Sequence, residues 1–130
     1  MPAYVSPQPP PIDLAEPEAL AAQNPQDADV ALRLAWAYYG AGLFDRAEET
    51  FERARRLRGD DLEPVFGLGL TLKRLGKNAQ AIEAFRKAAE RTSEVTDRAR
   101  ASILRRLAIG HVHHLERGEW DLEREVWGRA

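Results

Sequence analysis

The chain contains no cysteine among its 130 residues, so disulfide bonds, thiolate nucleophiles and cysteine-based zinc sites are all excluded. It also has no excess of one charge, because 19 basic and 21 acidic residues leave a formal charge of −2 at pH 7. A general nucleic-acid binder normally shows a basic excess, and this balance gives no reason to expect a membrane surface. We therefore expect neither nucleic acid nor membrane as a partner.

The sequence lacks the segments that direct a chain to or through a membrane. No apolar run approaches the ~20 residues of a membrane-spanning helix. Met1 is followed by prolines and not by a basic and then apolar stretch, so no secretion signal is recognised. These absences predict a cytoplasmic protein.

What the chain does contain is an internal repeat. Residues 28–61 and 62–95 align without a gap at a period of 34, with small and large apolar residues in the same order. The paired positions are Leu34 with Leu68, Ala35 with Gly69, Tyr38 with Leu72, Gly42 with Gly76, Ala47 with Ala81, Phe51 with Phe85, and Ala54 with Ala88. A fixed period of this length is the mark of a repeat array.

Helical spacing of the apolar residues divides each repeat into two helices. The predicted helices cover 28–41, 45–58, 62–75 and 78–92, preceded by a short helix over 16–24 that caps the array. Small residues on facing helices, such as Ala35 and Gly69, should set the distance between the helices. Phe51 and Phe85 should fill the space between successive pairs.

The third copy is longer than the other two. Gly118-Glu119-Trp120-Asp121 repeats Gly42-Leu43-Phe44-Asp45 at an offset of 76 and not 68, so eight residues have been added. Residues 96–117 should form one helix that projects about 12 Å beyond its neighbours. Its predicted apolar stripe is Ala99, Ile103, Leu104, Leu107, Ala108, Val112 and Leu115. A short cap helix over 122–127 should follow, with Trp120 and Trp127 covering the last apolar face.

These residues resemble the tetratricopeptide repeat family, whose pattern is a large residue, Leu-Gly, Tyr, Ala, Phe, Ala and Pro across 34 residues. The departures are Ala31 and Val65 at the usual Trp, Asn78 at the usual aromatic, and Gly59 and Ser93 at the usual Pro. The resemblance implies an all-α, right-handed superhelical stack of about three helix-turn-helix pairs, with a lengthened fifth major helix and a short C-terminal cap helix. It also implies a non-catalytic module for protein–protein interaction.

The predicted organisation is a Pro-rich flexible tail over 1–15 and one repeat domain over 16–130. Within the domain we expect the cap helix 16–24, the repeats 28–61 and 62–95, and an irregular third repeat with its cap over 96–130. The tail holds five prolines, which prevent helix and strand ladders. An alternative is a polyproline segment that docks on a partner or packs back on the domain through Tyr4, Val5 or Ile12.

The resemblance further implies where a ligand binds. In the family, contacts come mostly from positions 2, 5, 6, 9, 12 and 13 of the repeat, on the concave face formed by the first helix of each pair. The main residues carried over are Leu32, Arg33, Trp36, Tyr39, Phe66, Leu70, Lys73 and Arg74, continued by Arg100, Leu104 and Leu107 if the long helix keeps the register. The five large apolar residues among the first eight should not be needed for the core. Apolar anchors ringed by cations suit a peptide with apolar side chains and an acid group.

Other interpretations stay open. The tail or a second copy of the chain could cover this face, or the long helix and the C-terminal tryptophans could form an isologous homodimer. His111 and His114 are weak candidates for metal ligands, against a partly buried His111 with two solvated histidine neighbours. No cofactor is expected, since Gly76-Lys77 lacks the earlier glycine and the following hydroxyl of a phosphate loop. The carboxylate clamp of some family members is not expected, because Leu32 and Trp36 occupy two of its positions.

Overall fold

The computed structural model describes residues 10–59 and 61–118, and within these ranges it contains six α-helices and no strands. The helices are α1 Ala15–Gln23, α2 Ala28–Gly40, α3 Phe44–Arg58, α4 Leu62–Arg74, α5 Asn78–Arg91 and α6 Arg98–Arg117, with a 3₁₀ turn Thr92–Glu94 before α6. The all-α prediction is confirmed. None of the helices in these ranges is long and apolar enough to cross a membrane. The predicted cap helix over 122–127, with Trp120 and Trp127, lies outside the described residues, as do tail residues 1–9.

The chain builds the same helix-ending turn in both repeats. In the first, the Leu43 N–H donates to the carbonyl of Tyr38 at 2.9 Å, and in the second the Lys77 N–H donates to that of Leu72 at 2.9 Å. A glycine with positive φ, 78° in the first turn and 76° in the second, reverses the chain each time. The period of 34 read from the sequence is therefore a period of the backbone.

Consecutive helices pack against each other along the chain, from α1 on α2 to α5 on α6. Helix α4 approaches a buried phenylalanine closely on each side. A Cβ atom built on Gly67 would lie within 3.0 Å of three Phe51 ring carbons, and one on Gly69 would lie 2.9 Å from the Phe85 ring. Since both rings are fully buried, glycine is what allows the helices this spacing.

Helix α6 is lengthened as predicted, with 20 residues against 13 in α4. Its predicted apolar stripe is wrong at Ala99 and Ile103, which are both exposed, Ile103 by 57%. Two residues of the stripe, Ala108 and Val112, are buried as predicted. Ala101 is also buried although it was not part of the stripe, because it lies on the side on which α6 packs against the rest of the stack.

We predict that Gly67→Ala lowers the free energy of unfolding by about 1–3 kcal/mol, measured by urea denaturation, because the added methyl group overpacks the Phe51 ring. Gly69→Ala should cost less, since its contacts with Phe85 are longer. A second change, Phe51→Leu, should cost less in the Gly67→Ala background than in the wild type. Equal stability of the two alanine variants would contradict this account.

Candidate functional site

A cleft of about 500 Å³ opens across the first helices of successive pairs, bordered by α2, α4 and α6. Its apolar lining consists of Trp36, Leu62, Phe66, Val95 and Leu104. Its charged lining consists of Arg58, Asp61, Glu63, Arg91, Glu94 and Arg100. Four of the predicted binding residues, Trp36, Phe66, Arg100 and Leu104, therefore share one site.

Trp36 stands on the hydrophobic core and faces the cleft. Its ring meets the buried Phe51 ring edge to face, with centroids 4.8 Å apart and an angle of 83°. Its indole Nε1–H donates to Oε1 of Glu63 on α4 at 3.2 Å. The ring is half-buried, so one part anchors it while the rest stays accessible.

Phe66, on α4, shows the same arrangement in the next repeat. Its ring contacts the buried Phe85 ring at 5.6 Å, again edge to face, and lies 6.1 Å from the imidazole of His111 on α6. Phe66 is also half-buried. The two cleft aromatics are thus held in place by core rings without being sealed in the core.

Charges around the cleft are mostly neutralised within the chain. Arg58 forms ion pairs with Asp29 and Asp61, the latter at 3.6 Å, and Arg91 pairs with Glu94 at 2.9 Å. The carboxylate of Glu63 accepts the indole hydrogen bond. The exposed guanidinium of Arg100 forms no ion pair within 10–59 and 61–118. The indole is neutral, so Glu63 keeps its negative charge, and the three arginines and three acids of the lining balance. Arg100 differs from the other two lining arginines in having no ion pair within the described ranges.

Tyr39 and Arg74 lie away from the cleft, at the C-terminal ends of their helices. The Tyr39 ring meets the Phe44 ring at 5.4 Å, and the Arg74 guanidinium lies 5.0 Å from the Phe44 centroid. This is a cation–π contact at the start of α3. Tyr39, Phe44 and Arg74 therefore form a cluster of their own, which is separate from the cleft lining.

Three other predicted binding residues have different environments. Leu32 is only 6% exposed and belongs to the core, which corrects the expectation that the core does not need it. Its position on α2 turns it towards the packed side of the helix. Leu70 is half-buried and packs against the core, while Arg33 is exposed and does not line the cleft.

Lys73, also predicted to bind a partner, lies against His111. Its Nζ atom is 3.1 Å from His111 Nδ1, and the imidazole stacks on the Phe85 ring at 4.5 Å with an angle of 8°. Burial lowers the pKa of His111 to about 4, with further contributions from the Lys73 ammonium and from His114. Burial also lowers the pKa of Lys73. At neutral pH, Nδ1 of the uncharged imidazole accepts a hydrogen bond from the ammonium.

The histidine cluster differs from what the sequence suggested. His113 and His114 are half-buried and not solvated, because α6 turns this part of its surface towards neighbouring residues. Within the described ranges no group of three or more His, Asp or Glu side chains could hold a metal ion. The Lys73 ammonium beside His111 Nδ1 also opposes a cation at that atom.

Sequence reasoning missed the cleft residues at the ends of the second helices and in the connections. Arg58 and Arg91 come from the C-terminal ends of α3 and α5, and Val95 from the segment before α6. The C-terminal end of the second helix of each pair lies beside the start of the first helix of the next pair. Its side chains therefore reach the rim of the cleft. The available signal was an Arg followed three residues later by an acid in both repeats, Arg58 with Asp61 and Arg91 with Glu94.

Comparison with known protein families agrees with this geometry. Two family models described as tetratricopeptide repeat match the chain, one over residues 17–69 and the other over residues 63–94. Together they extend from α1 to the end of the second repeat. No curated protein matches the chain.

We predict that the free energy of unfolding falls more steeply with acidification in the wild type than in His111→Phe, which keeps a ring on Phe85. The pKa of His111 is depressed from 6.5 to about 4 in the folded state, so the unfolded chain takes up the proton first. The contribution of the neutral His111 to the free energy of unfolding is complete above pH 6.5 and is lost as the pH falls towards 4. Urea denaturation at several pH values measures the difference. An imidazole that titrates near 6.5 by NMR would contradict the prediction.

Proposed function

Because this chain belongs to the tetratricopeptide repeat family, we propose that it is a non-catalytic scaffold that binds a peptide or helix of a partner protein in the cleft. Repeats of this family generally mediate protein–protein interaction and are typically not enzymes. The observation that carries the proposal is Arg100, which forms no ion pair within the described residues, beside the half-buried Trp36 and Phe66. A cytoplasmic location remains a prediction.

The cleft defines the chemistry of the partner. Its apolar lining suits one large aliphatic or aromatic side chain, placed between Trp36, Phe66 and Leu104. A carboxylate near that side chain would pair with Arg100, whereas a basic group would meet repulsion. The partner segment therefore carries a bulky apolar residue with an acidic residue close by.

The two contacts have different sizes and different roles. An aromatic side chain buries about 150–250 Å². At about 25 cal/mol per Å² this is worth several kcal/mol before the costs of association are subtracted. An exposed Arg–carboxylate pair is worth about 0.2–1 kcal/mol. The apolar anchor thus supplies most of the affinity, and Arg100 selects the sign of the neighbouring charge.

Selection from a random peptide library on the immobilised chain tests this directly. We predict enrichment of peptides with a large apolar residue and an acidic residue within a few positions of it. The Arg100→Glu variant should lose the preference for acids and favour basic residues, because the sign of the unpaired charge is reversed. The same charge pattern on both baits would reject the role of Arg100.

A selected peptide should bind Trp36→Ala about 30-fold more weakly by calorimetry, as expected for an anchor worth about 2 kcal/mol. The exposed α5 variant Glu83→Ala is the matched control and should bind like the wild type. Circular dichroism establishes that each variant is folded. Undiminished binding by folded Trp36→Ala would reject the cleft as the site.

A second candidate is self-association through α6, favoured by the 57% exposure of Ile103 on this lengthened helix. An apolar side chain there would pack against its symmetry mate in an isologous dimer. We predict a dimer mass at the higher of two concentrations by light scattering and a monomer mass for Ile103→Asp. A monomer mass of the wild type at both concentrations would reject this candidate.

A further inference from the structure

Ile12, which precedes α1, contacts the side of α2 that also carries Trp36 and the cleft. Ile12 packs over Gly40, where a built Cβ atom would lie 2.7 Å from Ile12 Cδ1. Gly40 follows Trp36 by four residues, so the two lie about one turn apart on one side of the helix. Ile12 is 45% exposed, so the helix covers part of its side chain. The tail therefore joins the domain at the C-terminal end of α2. We call the side of the domain that carries Tyr39, Trp36, Phe66 and the cleft the binding face.

The tail is long enough to continue from this point along the binding face. Nine residues in polyproline II conformation span ~28 Å. Helix α2, with 13 residues, is about 20 Å long. A segment of nine residues is thus long enough to span α2 from the position of Ile12, a length that includes Tyr39, Trp36 and the cleft.

The composition of residues 1–9 matches the surface within their reach. They include Pro2, Pro7 and Pro9 together with Tyr4 and Val5, and no charged side chain. Proline-rich segments dock on aromatic-lined grooves because their extended backbone is pre-formed and loses little entropy on binding. Half-exposed aromatic rings line this face from Tyr39 to Phe66.

We propose that residues 1–9 occupy the binding face of their own chain and act as a displaceable internal ligand. The inference rests on the proposed function, because it identifies the first occupant of the same cleft. The tail covers aromatic surface but brings no carboxylate side chain to Arg100. A partner with an acidic residue has this contact in addition and therefore displaces the tail.

The absence of cysteine allows a direct test in the full-length chain. A nitroxide attached at Ser6→Cys should broaden the NMR signals of the Trp36 indole and the Phe66 ring. The reduced, diamagnetic form of the same label at the same position is the matched control, and it should leave these signals sharp. Replacing Ile12 by Ser in the Ser6→Cys background should reduce the broadening, because the tail loses its anchor on Gly40.

A mixing experiment separates contacts within one molecule from contacts between copies. In it, nitroxide-labelled chain at natural isotope abundance is added to isotope-labelled chain that carries no nitroxide. Broadening that survives this mixing comes from a second copy and would overturn the proposal. So would sharp Trp36 and Phe66 signals in the singly labelled chain. Adding a library-selected acidic peptide should displace the tail, so that the Trp36 and Phe66 signals become sharp again. The experiment without peptide needs no partner, so its failure is distinguishable from failure of the library selection.

Discussion

The contact of two buried phenylalanines with helix α4 is the constraint on which the rest of the structure depends. Phe51 and Phe85 approach α4 at Gly67 and Gly69, where no side chain intervenes. The same two rings support the cleft, because Trp36 stands on Phe51 and Phe66 stands on Phe85. The proposed binding surface is therefore an outward extension of the core, and the core rings hold its aromatic side chains in place. Such preorganisation lowers the entropy cost of binding.

Electrostatics act on this surface mainly by selection. The rim arginines at the ends of α3 and α5 are neutralised by acids three residues further on, so they add little attraction for a ligand. Arg100 lies in the first turn of α6, where its own helix offers it no such acid. In the proposed mode of binding, Arg100, which has no ion pair among the described residues, favours acidic over basic partners, and an acid-free tail lacks this contact.

The fold was predictable because the 34-residue period places small residues, large residues and turn glycines in the same order twice. The aromatic cleft residues Trp36 and Phe66 followed from the family's repeat positions. Leu32 did not, because repeat position alone does not show how far a neighbouring helix covers a side chain. The ion pairs of Arg58 with Asp61 and of Arg91 with Glu94 at the cleft were not predicted, because they depend on which helix ends meet in space. Ile103 was misplaced because an apolar stripe does not identify which neighbour it faces.

The second of the two phenylalanine contacts differs from the first in a way that matters for the cleft. Phe51 lies between Trp36 and a glycine of α4, whereas Phe85 lies against α4 on one side and the imidazole of His111 on the other. Protonation of His111 would disfavour its present position, because it would place two cations, His111 and Lys73, side by side in a half-buried environment. Acid should therefore loosen α6 before it loosens the first repeat. Since Arg100 and Leu104 belong to α6, the wall of the cleft that is proposed to select partner charge should depend on an uncharged His111.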